Sequence, residues 1–459
     1  MRCSGQFNLE DRWRVARKTN VVPARWKAVP LSKSNSVSKK IDAELLQTVA
    51  DRVADRCDTL ASFSDTPNSL TRTFCSDAMK ATHAQIRKWM QASSIESRLD
   101  AFGNLIGRHS GALNGSQQAD VFMIGSHLDT VVNAGRFDGP MGVMLGLGVA
   151  ELIRESDIAL PFDIDVVGFS EEEGVRFGFP FIGSLGISGQ FDPGDLDRVD
   201  VKGVTMRQAL ADFGCDPDKF EADSYRSGSR GKVIGFMEAH LEQATRLEQS
   251  NSPVGIVTSI AGQTRGTIVI EGVAGHAGTV PHDQRRDALA GAAKLILDIE
   301  KLGQETPGLY ATVGAITAKP SLSNVICGHV ELMLDLRHEL DEVRLKSLKT
   351  IDLMIRELSA TRDLAARIHR ADHSPAVPMD GALTRSLETS AGGAQSSVEM
   401  MVSGAGHDAM VMAKLAPSCM LFVRCRDGVS HHPDEFVAPE DIRVALEVMT
   451  NALIQISET

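Results

Sequence analysis

The chain has 459 residues and a net charge of -12, a length that predicts two domains and a charge that argues against nucleic-acid or anionic-membrane partners. Its seven cysteines are scattered, which excludes a disulfide framework and favours a reducing compartment, so we expect a cytoplasmic protein. The best apolar run, 141–153, is shorter than the ~18 residues of a membrane span and contains Glu151. These features indicate a soluble enzyme.

The first 40 residues differ in composition from the rest of the chain. They hold ten Lys/Arg and two Asp/Glu, so the remainder carries 38 against 58, a net charge of -20. They also contain Trp13 and Trp26 and show no sustained periodicity. We interpret residues 1–40 as a basic, disordered extension. An organelle-targeting segment is the alternative, because such segments are basic and poor in acids.

From residue 41 the pattern predicts alternating helices and strands of an α/β domain. Apolar runs that follow helical periodicity or form short strands are separated by a polar stretch, 191–232, which we interpret as a helical excursion. The predicted helices span 41–63, 76–91 and 142–153, and the predicted strands span 121–125, 162–169 and 234–239. Open α/β sheets usually place catalytic groups at the carboxyl ends of such strands.

After Pro253 the pattern becomes that of a smaller α+β domain with one antiparallel sheet. Its order is βαββαβ-like, with strands at 256–260, 266–271, 310–316 and 330–336 and helices at 287–301 and 340–358. From about His373 the first pattern returns, with a helix at 381–391, a strand at 420–423 and a closing helix at 439–456. We therefore predict one domain over 41–255 and 373–459, with a second domain, 256–372, inserted into it.

Acidic residues and a histidine follow the predicted strands. His127 lies in Gly125-Ser-His-Leu-Asp-Thr130, Asp138 lies between Gly135 and Gly139, and Glu171-Glu-Glu-Gly174 follows the next strand. Such a cluster of carboxylates repels itself unless cations lie among them, so the pattern predicts two divalent metals bridged by one carboxylate. Asp138 is the candidate bridge, and an ordinary turn is its alternative role.

Three further residue types complete this hypothesis. Asp129 is two residues from His127, a spacing that predicts a carboxylate holding the second ring nitrogen of the imidazole. The three consecutive glutamates predict one metal ligand and one general base that takes a proton from water. His240 follows an apolar strand, and the pair His431/His432 offers one more imidazole, with the choice between the two left open.

Polar groups of the predicted second domain fit a carboxylated substrate. An Arg337 fork would bind a carboxylate, and His276 would stabilise an oxyanion beside Asn324. Ordinary capping and surface pairing are their alternative roles. The stretch Ser403-Gly-Ala-Gly-His407 is not flanked as a nucleophile elbow and predicts a glycine turn whose amides face a substrate, with Gly404 and His407 as candidate contacts.

Taken in order, these motifs resemble the hydantoinase/carbamoylase branch of the M20 metallopeptidase-like amidohydrolases. The similarity runs from about residue 45 to the end and rests on Gly125-Ser-His-Leu-Asp-Thr130, Phe137-Asp-Gly139, Glu172-Glu-Gly-Val-Arg-Phe177, His240-Leu-Glu-Gln243, Gly275-His-Ala-Gly-Thr279, Asn324-Val-Ile, Ser403-Gly-Ala-Gly-His-Asp408 and Ser430-His-His-Pro-Asp-Glu435. The resemblance implies a mixed-sheet, aminopeptidase-like α/β metallohydrolase domain with an inserted lid and dimerisation domain. It further implies a homodimer, two Zn or Mn ions per subunit, and cleavage of ureido or carbamoyl groups from small carboxylates.

The resemblance also assigns residue roles. It implies Glu172 as the general base and, as metal ligands, His127, Asp138 (bridging), Glu173, His240 and His431. It implies as substrate contacts Gln243, His276, Asn324 and Arg337, the last three offered either by the same chain or by the partner subunit. The sequence departs from the family pattern at Ala244-Thr245, where Gly-Pro is usual, and at Cys327 and His282.

Within that branch the chain is most similar to allantoate amidohydrolases, through Glu171-Glu-Glu-Gly-Val-Arg-Phe177 and Phe422-Val-Arg-Cys-Arg426. The alternative substrates are N-carbamoyl-L-amino acids, ureidoglycolate and β-ureidopropionate, which need the same metals and the same carboxylate clamp. A hypothesis of another class is a non-catalytic dimeric binding protein on a degenerate scaffold. That hypothesis predicts gaps among the ligands or the base, whereas every such position here holds a competent residue type.

Overall fold

A computed structural model describes residues 41–111, 119–395 and 397–458, so the prediction for residues 1–40 lies outside the described part of the chain. The helices are α1 Ala43–Leu60, α2 Asp77–Ala92, α3 Pro140–Glu155, α4 Ile182–Ile187, α5 Met206–Phe213, α6 Phe220–Asp223, α7 Arg246–Gln249, α8 Ala288–Glu305, α9 Asp341–Arg362, α10 Gly381–Ala394, α11 Asp408–Met412 and α12 Pro439–Ser457. Among the described residues, none of these helices combines the length and the apolarity needed to cross a membrane.

The strands form one large sheet, one small sheet and a two-stranded ribbon. They are β1 Glu96–Leu99, β2 Leu105–His109, β3 Val121–His127, β4 Asp163–Phe169, β5 Val233–Leu241, β6 Val254–Ile260, β7 Gly262–Glu271, β8 Gly275–His276, β9 Tyr310–Lys319, β10 Val325–Ile326, β11 His329–His338, β12 Ala365–Ser374, β13 Val377–Pro378, β14 Glu399–Ser403 and β15 Ser418–Val423. Short helical segments between 193 and 227 form the predicted excursion.

The large sheet has nine strands in the order β1-β2-β4-β3-β5-β15-β6-β13, with β14 beside β6. Its central strands β4, β3, β5 and β15 are parallel. Every residue of β3 and β4 is buried, as expected for parallel strands covered on both faces. Because parallel strands end at the same edge, the residues that follow β3, β4, β5 and β15 meet there.

Helix α3 packs closely on this sheet through glycine. A Cβ at Gly146 would lie 3.0 Å from the Ile124 side chain of β3. Helices α1, α10 and α12 share the same core with α3. Gly146 is therefore a point of close helix–sheet packing.

The small sheet has the order β12-β7-β11-β9, with α8 and α9 packed on one face over a separate apolar core. Along the chain its elements run β7-α8-β9-β11-α9-β12, an order of βαββαβ, although the individual strands predicted for this domain run from 256–260 to 330–336 and omit β12. Two strand assignments were wrong. The strand predicted at 256–260 pairs with β15 and β14 in the large sheet, and the last strand of the small sheet, Ala365–Ser374, was not predicted.

Both errors have a physical cause. The apolar run of β6 fits any buried strand, and only its partners determine the sheet to which it belongs. Strand β12 is at the edge of its sheet and mostly exposed, so it carries polar residues and no apolar run. Strands β1, β2 and β14 were also not predicted, because each has only four or five residues and shows little periodicity. The domain limits 256 and 372 stay a prediction.

Candidate metal centre

The carboxyl edge of the parallel strands brings the predicted ligands together. His127 ends β3, His240 is the penultimate residue of β5, and the glutamate turn follows β4. Asp138 lies just before α3, next to Gly139, whose φ of 84° is in the left-handed region. A Cβ at Gly139 would lie 2.5 Å from the His127 ring, so glycine is required for the chain to pass this close.

Two groups of potential ligands share one carboxylate. The first consists of His127, Asp138 and His240, and the second of Asp138, Glu173 and His431, with the donor atoms of each group within 4.8 Å of one another. In the first group the Asp138 Oδ1 atom is 2.8 Å from His240 Nε2 and 3.7 Å from His127 Nε2. In the second group the Asp138 Oδ2 atom is 3.2 Å from His431 Nε2, which lies 3.5 Å from Glu173 Oε1.

The ring contacts show that both buried imidazoles are arranged to bind a cation. His127 Nδ1 lies 3.0 Å from the backbone oxygen of Asp129, and His240 Nδ1 lies 3.0 Å from that of Leu241. A carbonyl only accepts, so Nδ1 carries the proton of each neutral ring and the Nε2 lone pair faces Asp138. Among residues 41–111, 119–395 and 397–458, no group donates a hydrogen bond to the buried Asp138 Oδ1. Lone pairs that converge in this way fit a divalent metal.

The electrostatics agree with that interpretation. Burial, only partly offset by His127, raises the pKa of Glu172 well above its usual range. Burial likewise raises the pKa of Glu173 to about 7. Burial would raise the pKa of the Asp138 carboxyl, but the surrounding imidazoles hold that pKa well below its usual range. Against their burial, the neighbouring carboxylates raise the pKa of His127 and of His240. Without cations the cluster would therefore keep protons on its imidazoles and glutamates, and divalent ions would replace them.

Asp129 holds the glutamate turn in place. Its Oδ1 accepts the N–H of Glu172 and its Oδ2 accepts the N–H of Glu173, both at 3.0 Å. The predicted contact between this carboxylate and the His127 ring is longer, 3.5 Å, and the ring bonds to the Asp129 backbone oxygen instead. The Asp129 carboxylate therefore fixes the turn that places Glu172 close to His127 and Glu173 close to His431.

Two site residues were missed by the sequence reasoning. Glu435 Oε1 accepts the N–H groups of Phe137 and Asp138, and Ser430 Oγ donates to Asp138 Oδ2 at 2.8 Å. The available signal was their place in the motif Ser430-His-His-Pro-Asp-Glu435, where only the histidines were given a role.

Two predicted substrate contacts lie next to the ligand groups: Gln243 is beside His431 of the second group, and His407 is against His240 of the first. Gln243 Nε2 donates to Ser430 Oγ at 3.1 Å and is 3.5 Å from His431 Nε2. His407 is buried, its ring centroid is 4.5 Å from that of His240, and its Nε2 is 3.0 Å from Ser403 Oγ. Burial holds the pKa of His407 well below its usual range, so this ring packs on a ligand as a neutral group.

Arg337 connects the small sheet to the glycine turn 403–407, which lies at the end of β14 of the large sheet. Its Nη1 donates to the Gly404 oxygen at 2.6 Å, while Nε and Nη2 donate to the two oxygens of Asp335 at 2.7 and 2.8 Å. His276 and Asn324 lie together on the β8/β10 ribbon, where the Ala277 N–H donates to the Asn324 oxygen at 2.9 Å. Both are exposed, and among the described residues neither has a hydrogen bond to the ligand groups.

Comparison with known proteins agrees with this arrangement. The family model described as Peptidase family M20/M25/M40 matches residues 123–455. The chain belongs to this family. The predicted M20 resemblance is therefore confirmed.

Relatives of this M20 chain are named as an amidohydrolase, a deiminase and an amidase. It is 39% identical to an N-carbamoyl-L-amino-acid amidohydrolase of Pseudomonas sp. (strain NS671), over 81% of this chain and 89% of that protein. It is 36% identical to an allantoate deiminase of Arabidopsis thaliana, over 86% of this chain and 80% of that protein. A solved amidase of the hydantoinase/carbamoylase family from Burkholderia multivorans has a TM-score of 0.83 and 30% identity, over 92% of this chain and 99% of that one.

These findings confirm the predicted fold class, a mixed-sheet α/β domain with a smaller antiparallel sheet. They also show that this M20 protein is an amidohydrolase, an enzyme that hydrolyses non-peptide C–N bonds. The family is metal-dependent, and the ligand groups around Asp138 suit that dependence.

Proposed function

We propose that this amidohydrolase hydrolyses the ureido group of a small carboxylate, allantoate, with two divalent ions, Zn or Mn, in each subunit. The observation that carries the proposal is the pair of three-residue ligand groups that share Asp138. His127, Asp138 and His240 would hold one ion, and Asp138, Glu173 and His431 the other. Bound divalent ions polarise a carbonyl and lower the pKa of water towards ~7.

Glu172 is the residue that we assign to proton transfer. It is buried beside His127 and Glu173, and the turn that carries it is held by Asp129. Its carboxylate takes a proton from the water that attacks the ureido carbon. As the new C–O bond forms and the C–N bond breaks, Glu172 returns the proton to the leaving nitrogen.

Arg337 is the group that we assign to the substrate carboxylate. Among the described residues, its bonds to Asp335 and Gly404 use three of its five N–H groups, which leaves two for a ligand. The 2.6 Å bond to Gly404 of the same chain supports action within its own subunit. His276 would stabilise the oxyanion and Asn324 would bind substrate; their exposure on the ribbon supports delivery to the partner subunit.

The outer edge of the small sheet supports the homodimer. Strand β9 has no neighbour beyond it among the described residues. Ile316 pairs with the buried Leu332, on the face covered by helices, and is nevertheless 47% exposed. A second β9 would cover this apolar side chain and satisfy the free edge. Ile316→Asp should therefore yield monomers in light scattering, whereas Leu353→Asp, an equally drastic change on the exposed face of α9, should stay dimeric.

Subunit mixing tests which chain provides each residue. An exchanged equimolar mixture of His276→Ala and Glu172→Gln dimers should regain about a quarter of wild-type activity, because half of the dimers would then contain one intact site. Arg337→Ala mixed with Glu172→Gln should regain none. Recovery in the second mixture would place Arg337 in the partner's site, and failure of the first despite proven exchange would place His276 in its own.

A substrate panel tests the chemistry. Protein loaded with Zn or Mn should give its highest kcat/KM with allantoate when that substrate is compared with ureidoglycolate, β-ureidopropionate and N-carbamoyl-L-amino acids. The 39% identity to an N-carbamoyl-L-amino-acid amidohydrolase makes those amino acids the second candidate. A higher kcat/KM with N-carbamoyl-L-amino acids would make them the proposed substrate in place of allantoate. No turnover together with less than one metal per subunit would instead favour the non-catalytic binding protein.

A further inference from the structure

The loop between β15 and α12 reaches Asp138 from a distant part of the chain. Glu435, four residues after His431, is 3% exposed. Its Oε1 accepts the N–H of Phe137 at 2.7 Å and the N–H of Asp138 at 3.0 Å. Its other oxygen, Oε2, is also buried and has no hydrogen-bond partner in the part of the chain that the structure describes. One carboxylate oxygen therefore satisfies two consecutive amides of the ligand loop.

Gly135 is shaped around this contact. A Cβ at this position would collide with the Cβ and the carboxylate of Glu435. The absence of a side chain at Gly135 thus allows the carboxylate to lie directly under the loop 135–139.

The same distant loop holds the side chain of Asp138. Ser430 Oγ donates to Asp138 Oδ2, and His431 Nε2 lies 3.2 Å from that oxygen. His431 has a φ of 58°, in the left-handed region that is costly for a residue with a side chain. A costly backbone conformation persists only where surrounding contacts hold it, and the Glu435 bonds are contacts of this kind.

We infer that Glu435 is a positioning residue that joins loops 135–139 and 430–435 into one unit, so that the Asp138, Glu173 and His431 group is assembled before a cation arrives. This inference rests on the proposed two-metal site. Because both amides use the same oxygen, the essential property of Glu435 is an acceptor in this place and not its charge. Glutamine preserves that acceptor, and alanine removes it.

The experiment compares variants of the full-length protein after removal of metal. Glu435→Ala and Gly135→Ala, which displaces the carboxylate without changing it, should weaken binding of one of the two Zn ions by about 10- to 100-fold. Glu435→Gln should stay within about threefold of wild type. The matched control is Asp434→Asn, the adjacent carboxylate, which is exposed and, among the described residues, pairs only with His432. Zn affinity is measured by equilibrium competition with a chelator.

A second readout needs no metal. Amide exchange of residues 135–139 in the metal-free protein should be faster in Glu435→Ala and Gly135→Ala than in wild type, and unchanged in Asp434→Asn. If Glu435→Ala does not fold, the comparison of Gly135→Ala with Glu435→Gln is sufficient to test the positioning role of Glu435.

Two outcomes would contradict the positioning role of Glu435, and a third would contradict the two-metal site. Glu435→Gln as weak as the alanine variants would show that charge is required and would overturn the positioning role. Wild-type Zn affinity and wild-type amide exchange in Gly135→Ala would overturn it as well. A wild-type protein that binds fewer than two Zn ions would instead contradict the proposed two-metal site itself.

Discussion

Asp129→Asn tests how the glutamate turn is held. The carboxylate is fully buried and gives one oxygen to the N–H of Glu172 and the other to the N–H of Glu173. Asparagine keeps one oxygen but replaces the other with an NH₂ group, so a donor faces one of the two amides. One charge-assisted bond is lost and a buried N–H is left without an acceptor.

The magnitude follows from those two contacts. A hydrogen bond to a charged group contributes about 1.5–3 kcal/mol, and an unsatisfied buried donor costs about 1–3 kcal/mol, values that overlap because they describe the same bond. We therefore expect the free energy of unfolding to fall by about 1.5–3 kcal/mol. The buried Arg72 adds to this loss: burial lowers its pKa to about 10, and Asp129 is the charge that opposes this shift most strongly. A shifted glutamate turn should also lower kcat by about 10- to 100-fold.

The assay is urea unfolding of the metal-free protein, so that metal affinity does not enter the measured stability, followed by kcat of the metal-loaded protein. Asp434→Asn removes an exposed carboxylate of the same site region and should change neither quantity. An unfolding midpoint and a kcat equal to those of wild type in Asp129→Asn would refute the reasoning, because the two amide bonds would then have no measurable role.

Asp138→Asn should lose both metals, since both ligand groups contain this carboxylate, and metal analysis that still finds two ions per subunit with full activity would end the two-metal proposal. Glu172→Gln should keep both metals and lose about 10²–10⁴ in kcat. If Glu173→Gln keeps the metals and Glu172→Gln loses them, the two roles are reversed. Arg337→Lys should cost at least ~1.5 kcal/mol in kcat/KM, because a lysine cannot reproduce the two-pronged contact, and unchanged steady-state kinetics would contradict the clamp.

The sequence alone determined the central parallel strands of the large sheet and the ligands that follow them. Fully buried parallel strands are continuous apolar runs, so β3, β4 and β5 are visible without a structure. Residues that follow such strands meet at one edge whatever their separation along the chain. His127, Asp138 and His240 could therefore be assigned to one cluster from spacing and motif alone.

Tertiary structure decided what depends on a partner far along the chain. Glu435 is separated from Phe137 by 298 residues, and nothing in its local sequence shows which amides its carboxylate accepts. The Asp129 carboxylate was assigned to a neighbouring ring by spacing, yet it binds amides 43 and 44 residues away. Strand β6 likewise belongs to the large sheet only because β15 and β14 lie beside it. Hydrogen bonds of buried polar groups are satisfied by whatever the fold brings within about 3 Å, and local sequence carries no record of that neighbour.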